Sequence, residues 1–131
     1  MNPVESVPVE GQVVKKKLGI ILYTLPTTSQ FWFGVEIAKS ALARGYGVHL
    51  FFWGDSVYAL GKADALGDYS KASRELSSML DSKDFALDAC TSCYKIRGLS
   101  SDNLISGAHL SGLHKIPEMI KRCHKTLAMI P

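Results

Sequence analysis

Mainly apolar segments separated by polar, glycine-containing stretches dominate the hydrophobic pattern of this chain. An apolar run without regular polar alternation is typical of a strand that is buried on both faces of a parallel sheet. The pattern predicts strands over Leu18–Tyr23, Val48–Trp53, Phe85–Ala89 and Thr126–Ile130.

A helical pattern fills the space between the first two predicted strands. Behind a loop of hydroxyl residues suited to capping a helix, apolar residues recur at intervals of three and four, and Gly45 follows where a C-terminal cap is expected. Residues 18–53 are therefore predicted to form a βαβ unit with a right-handed crossover. The apolar stripe of the helix consists of Phe31, Val35, Ala38 and Leu42.

The pattern is weaker beyond the second predicted strand. The elements expected there are a short helix over 56–60, a mobile loop over 61–68, a surface helix over 70–80, loop and turn over 103–108, and a helix over 112–121 in which Pro117 marks a kink or a late start. Together with the strands, these elements predict an α/β fold. We expect a three-layer sandwich, with a mostly parallel sheet and helices on both faces.

Length, charge and cysteine count limit the possible classes of protein. The 131 residues suit one domain, predicted as a flexible arm over 1–16 followed by a folded domain over 17–131. A formal net charge of +3 is too small and scattered to indicate nucleic-acid binding. No apolar run approaches the roughly 20 residues that span a bilayer, and the first residues do not resemble a signal peptide. Three cysteines, an odd number, favour a reducing compartment, so a cytoplasmic location is expected.

The most specific chemical feature is a C-x-x-C pair, Cys90 and Cys93, at the end of the third predicted strand. In open parallel sheets, reactive groups gather at the carboxyl ends of the strands, where the loops after the first two predicted strands also lie. A cysteine between a strand end and a helix start has free backbone N–H groups and the positive end of the helix dipole nearby, which favour the nucleophilic thiolate. The predicted site consists of both thiols, with Lys95, Arg97 and His109 in supporting roles.

Several functions are compatible with such a pair. It can carry a persulfide or a thiosulfonate on one sulfur, act as a dithiol oxidoreductase, or simply pack beneath a helix without reacting. A zinc site would need further ligands from Cys123 with His124, or from His109 with His114. The interpretation we favour is a sulfur carrier that requires neither a metal nor an organic cofactor.

Other conspicuous residues are interpreted as structural. Trp32 and Phe33 lie off the apolar stripe of the first helix and suggest an interface between subunits. His49 falls within a strand and is expected to be a core or cross-strand histidine. Cys123 is expected to be buried, and Asp55 is interpreted as a turn residue.

The order of these features resembles the DsrE/TusD family of sulfur-relay proteins, within the broader DsrE/DsrF-like superfamily. The matching segments are the first strand with its Thr/Ser loop, the segment His49–Tyr58, and the segment Cys90–Gly98, in which a cysteine lies eight residues before the glycine of an Arg-Gly pair. The resemblance extends from about residue 17 to 131.

This resemblance implies roles that composition and spacing do not. Cys90 matches the sulfur-accepting cysteine of the family, whereas Cys93 lies where typical members have a small residue without a thiol. The resemblance also implies a homo-oligomer (a trimer or hexamer) and a small TusA-like carrier protein as partner. The expected function is a cytoplasmic sulfurtransferase-like carrier that receives sulfur from thiosulfate, tetrathionate or a persulfide. The alternatives are a non-catalytic structural or regulatory subunit of such an oligomer and a C-x-x-C dithiol oxidoreductase.

Overall fold

The described part of the chain forms a five-stranded parallel sheet. The computed structural model describes residues 15–62 and 67–129, so most of the predicted arm over 1–16 and part of the predicted loop over 61–68 lie outside the described residues. The strands follow the order β4-β3-β2-β1-β5, and each neighbouring pair is parallel. The strands are β1 (Lys17–Leu22), β2 (Gly47–Phe52), β3 (Phe85–Cys90), β4 (His109–Ser111) and β5 (Lys125–Met129).

Helices cover both faces of the sheet, which confirms the predicted fold class. They are α1 (Ser29–Ala43), α2 (Ser70–Met79), α3 (Thr91–Ile96) and α4 (Lys115–Arg122), with 3₁₀ turns at Gly54–Leu60, Gly67–Tyr69 and Ser101–Asn103. The buried residues of α1 and α2 belong to the larger core on one face, and those of α4 belong to a smaller core on the other. No helix in the described ranges is long and apolar enough to cross a membrane.

The apolar runs of β1 and β2 form strands because neighbouring residues enter different cores. The edge strand β5 differs, because three of its five residues, Leu127 among them, are exposed. In β1, Ile20 and Leu22 pack in the larger core, whereas Ile21 between them packs in the smaller one with Phe51 and Met119. A strand covered on both faces has no solvent-exposed row, so it lacks the polar alternation of a half-buried strand.

Helix α1 begins and ends where the sequence predicts. The Thr28 hydroxyl accepts a hydrogen bond from the Phe31 N–H at 3.2 Å, which satisfies one of the free donors of the first turn. Gly45 follows the C-terminal cap with φ of +88°, a left-handed conformation that glycine adopts without strain.

The sequence pattern does not predict β4, which follows directly after the loop and turn expected over 103–108. This strand has three residues and a single apolar one, Leu110, so its own pattern is too short to indicate a strand. The segment forms a strand because it pairs with β3, in the register Asp88↔His109. Helix α4 begins at Lys115, so Pro117 lies in the first turn, where its missing N–H disrupts no helical hydrogen bond.

Candidate functional site at the carboxyl end of β3

Cys90 connects a strand to a helix. It is the last residue of β3 and the N-cap of α3, and its Sγ accepts a hydrogen bond from the Cys93 N–H at 3.4 Å. The thiol thus takes the place of the Ser, Thr or Asp oxygen that usually caps a helix. Only 4% of Cys90 is exposed, so the sulfur lies against the smaller core at the point where the strand ends.

Cys93 lies on the first turn of α3 and is more exposed than Cys90. Burial raises the pKa of its thiol, and a hydrogen bond with the Cys90 thiol raises it further. The backbone N–H of Gly54 and the positive charge of Arg97 act in the opposite direction without reversing the shift. Cys93 is therefore mainly protonated at neutral pH, because desolvation outweighs the basic neighbours that the sequence suggested as activators.

Arg97 joins the cysteine segment to the turn that follows β2. Its Nε and Nη2 donate hydrogen bonds to Asp55 Oδ1 at 3.0 and 2.8 Å, and its Nη1 donates to the Cys93 carbonyl oxygen at 3.0 Å. This ion pair fixes α3 against the 3₁₀ turn Gly54–Leu60. The guanidinium charge near Cys93 is therefore held in place and shared with a carboxylate.

The residues that follow β1 and β2 pack against each other at the carboxyl edge of the sheet. Tyr23 and Trp53 meet edge to face, with ring centroids 4.9 Å apart, and Trp53 remains 36% exposed. Gly54 follows with φ of +65°, and a Cβ there would lie 2.7 Å from the Tyr23 ring. Only glycine fits this position, where its N–H reaches the Cys93 sulfur.

The structure brings some of the predicted residues together and separates others. Cys90, Cys93 and Arg97 lie in one cluster, whereas the Lys95 side chain is exposed on α3. His109 lies level with Asp88, before the end of β3, and lines a groove that neither C-x-x-C thiol lines.

Two further residues complete the site, and the sequence interpretation missed both. Gly54 supplies the N–H near Cys93, and Asp55, interpreted as a turn residue, holds Arg97. Their position directly after β2 was the available signal, because the carboxyl ends of β2 and β3 meet at the same edge of the sheet.

Cys123 lies apart from the pair, at the C-terminal end of α4. It packs against the smaller core, and burial raises the pKa of its thiol. Its partial burial agrees with the structural interpretation. Within the described ranges, no group of three or more His, Cys, Asp or Glu residues is arranged to hold a metal ion.

A family model places this arrangement among known proteins. The model of the DsrE/DsrF-like family matches residues 16–129, which include the whole sheet and the cysteine segment. The chain belongs to the DsrE/DsrF-like family. Members of this family are generally linked to sulfur relay, in which sulfur passes between protein thiols.

The chain is also similar to individual proteins and solved structures. An uncharacterized protein of Methanopyrus kandleri, MK0008, is 31% identical over 87 residues, which cover 66% of this chain and 71% of that protein. The ychN protein from E. coli has the same fold, with a TM-score of 0.73 and 22% identity over 86% of this chain and 98% of the other. MTH1491 from Methanobacterium thermoautotrophicum, a protein of unknown function, superposes with a TM-score of 0.67 at 14% identity, covering 87% of this chain and 99% of the other. At these identities the solved structures establish the fold alone.

Proposed function

We propose that this protein is a cytoplasmic sulfur carrier whose Cys90–Cys93 pair accepts sulfur from a small donor and passes it to a thiol of a partner protein. The observation that supports this most directly is the position of the thiol pair at the carboxyl end of β3, where the Cys93 N–H donates a hydrogen bond to the Cys90 sulfur at 3.4 Å and the Gly54 N–H favours the thiolate of Cys93. Such donors stabilise a negative charge on sulfur, which a thiolate and a persulfide both carry.

Loading and unloading are thiol exchange reactions. A cysteine thiolate attacks the outer sulfur of thiosulfate, an S–S bond forms, the S–S bond of thiosulfate breaks, and sulfite leaves with the electron pair. The partner's thiolate then attacks the outer sulfur of the persulfide, which moves to the partner and regenerates the cysteine thiolate. No net oxidant is consumed in either step.

The two thiols differ in ways that suggest separate tasks. Cys90 matches the accepting position implied by the family resemblance, but it is 4% exposed and faces the smaller core. Cys93 lies closer to solvent, between Gly54 and Arg97. We therefore propose that Cys90 carries the cargo and that Cys93 assists its entry and release.

The first experiment weighs the intact reduced protein after treatment with thiosulfate or tetrathionate. A carrier gains the mass of a sulfur-containing adduct on one cysteine. Loss of two hydrogens in both treatments would instead identify a dithiol oxidoreductase, because the second thiol would have displaced the adduct to form a disulfide. An unchanged mass would identify a subunit whose thiols do not react.

Single Ser variants then assign the cargo. We expect Cys90→Ser to abolish the adduct, Cys93→Ser to slow its formation, and Cys123→Ser to load like the wild type, which makes it the matched control. Loss of loading in Cys93→Ser alone would reverse the roles within the pair. Loss in Cys123→Ser alone would refute the site.

The same proposal includes an assembly and a partner. Phe33, on α1, is 62% exposed and Tyr46 is 43% exposed, and both line a shallow apolar depression beside Ile37. We propose that a second copy of the chain covers this surface in a trimer or hexamer. The acceptor would be a small TusA-like carrier, with its thiol presented to the carboxyl edge of the sheet.

Trp32 contributes less to that surface than the sequence suggested. Its indole N–H donates to the Pro26 carbonyl oxygen at 2.7 Å, and the Lys71 ammonium lies 5.0 Å from the ring centroid. The side chain is therefore partly buried within its own subunit. Phe33 is the better probe of an interface.

A further inference from the structure

A second polar region begins at the amino-terminal ends of β2 and β3 and runs along one face of the sheet as far as Ser111, which pairs with Cys90. Helix α4 has only eight residues and leaves part of its face of the sheet uncovered. The uncovered part forms a groove of about 640 Å³, here named the basic groove. The first residues of β2 and β3 lie in the groove, whereas Cys90 is the last residue of β3. At about 3.3 Å per residue, the groove entrance at Phe85 is roughly 16 Å from the thiol along the strand.

Positive side chains outnumber negative ones in this groove. Two aspartates also line it, Asp84 and Asp88. The cationic residues come from β1 and the residues before it, from the turn before β3, and from both ends of α4. They are Lys15, Lys17, Lys83, Lys115 and Arg122.

Both aspartates already have hydrogen-bond partners within the chain. Asp84 accepts a hydrogen bond from the Lys15 ammonium at 2.6 Å. Asp88 is 6% exposed, and each of its carboxylate oxygens has a partner: Oδ1 accepts from the Ser111 hydroxyl at 2.7 Å, and Oδ2 lies 2.6 Å from His49 Nε2. Burial opposes ionisation, but these hydrogen bonds lower the pKa of Asp88 overall. With five cations and two carboxylates, the groove keeps an excess of three positive charges.

The floor of the groove is polar and ordered. Asp88 fixes the His49 ring through Nε2, and the other ring nitrogen takes no part in that contact. His109 and Ser111, from β4, also line the floor. Burial raises the pKa of the nearby Cys123 thiol, so this sulfur adds no negative charge at neutral pH.

We propose that the basic groove binds a phosphorylated small molecule that carries several negative charges. A volume of about 640 Å³ lies within the range of small-molecule sites and exceeds what one phosphate group fills. Charge complementarity selects the ligand class, because a polyphosphate chain can contact cations on β1, α4 and the turn before β3 together. Nothing in the sulfur chemistry of the C-x-x-C pair uses these residues, so the site is separate from the proposed carrier function.

The affinity and stoichiometry of binding are measured by calorimetric titration of the full chain with inorganic tripolyphosphate and with ATP. We expect saturable binding of one ligand per chain for at least one of these probes. Equal binding of both identifies the phosphate chain as the recognised group, and stronger binding of ATP adds recognition of the nucleoside. Lys83→Glu combined with Arg122→Glu should weaken binding by at least about tenfold, because each position loses a charge-assisted contact.

The matched control is Arg74→Glu combined with Lys121→Glu. These exposed residues lie outside the groove, Lys121 is adjacent to Arg122 in α4, and the net charge changes by the same amount. The control should bind within about twofold of the wild type at physiological salt, where distant charges are screened. Equal loss in both double variants would indicate diffuse attraction and overturn the proposal, as would absence of saturable binding to either probe. Sedimentation provides a second test. If the wild type self-associates and only the groove variant does not, the groove is an interface between copies of the chain, and the proposal is overturned.

Discussion

At the scale of single residues, the chemistry of Cys93 depends on opposing neighbours. Burial and the Cys90 thiol raise its pKa, while the Gly54 N–H and Arg97 lower it. The basic residues of a sequence motif can be counted in advance, but the desolvation of a thiol depends on how neighbouring loops close over it. This is why the sequence identified the pair and its basic neighbours, which favour a lowered pKa, whereas the pKa of Cys93 is raised in the folded protein.

The pH dependence of alkylation tests this balance. Site-resolved mass spectrometry should show that iodoacetamide modifies Cys93 about tenfold faster for each pH unit, with the increase continuing above pH 8, because only the thiolate reacts and its pKa is raised. Arg97→Gln should slow modification at fixed pH, and Arg97→Lys should restore it in part. Lys95→Gln, two residues away on the exposed surface, is the matched control and should have no effect. A plateau below pH 8 in the wild type would contradict the raised pKa.

The buried Asp88 should contribute stability that depends on pH. Its pKa is lowered in the folded protein, so its contribution is present above the unfolded value of about 3.9 and is lost as pH falls through the folded value. Asp88→Asn should therefore lower the urea midpoint at pH 7, and the difference from the wild type should shrink at pH 3. The exposed Asp81→Asn is the control and should change neither midpoint. A difference between Asp88→Asn and the wild type that is the same at both pH values would exclude the electrostatic origin.

At the scale of elements, buried strands were easier to predict than anything that depends on a neighbour. The runs around β1 and β2 were found to within one residue because covering on both faces leaves an unmistakable apolar segment. β4 was missed because its three residues are a strand only through pairing with β3. The same distinction applies to the site: Arg97 was found from its own motif, whereas its partner Asp55 comes from another loop.

The contact between α1 and β1 offers a test of packing. Gly34 is buried in α1, and a Cβ at this position would collide with the Leu22 side chain. Gly34→Ala should reduce the free energy of unfolding by about 1–3 kcal/mol through overpacking, in spite of a helix propensity gain of up to about 1 kcal/mol. The control is Ser40→Ala at an exposed position of the same helix, which should leave the urea midpoint unchanged or slightly raised. An increase in stability for Gly34→Ala would show that Leu22 moves aside without cost.

At the scale of the whole molecule, Phe33 on α1 and Tyr46 expose apolar surface at one shallow depression. A substitution of Phe33 tests whether this surface takes part in assembly. Light scattering of the wild type should give a mass three or more times that of the 14.3 kDa chain, and Phe33→Glu should reduce it to that of the monomer. Ile96→Glu is the matched control, since Ile96 is 81% exposed but lies on α3, away from α1. A wild-type mass of one chain at micromolar concentration, or dissociation caused equally by Ile96→Glu, would refute the interface.

The strand order also determines when the sheet can be completed during synthesis. The Lys17 N–H donates a hydrogen bond at 3.1 Å to Nδ1 of His124, 107 residues later, and the His124 N–H donates in return to the Lys17 carbonyl oxygen. Ribosomes add about 5–20 residues per second, so β1 waits roughly 5–20 s for β5 after it has been made. During that interval β1 can pair with β2 while its other edge stays open to strands of neighbouring nascent chains. β5 therefore protects β1 from aggregation, which makes this late-synthesised strand important to folding yield as well as to native stability.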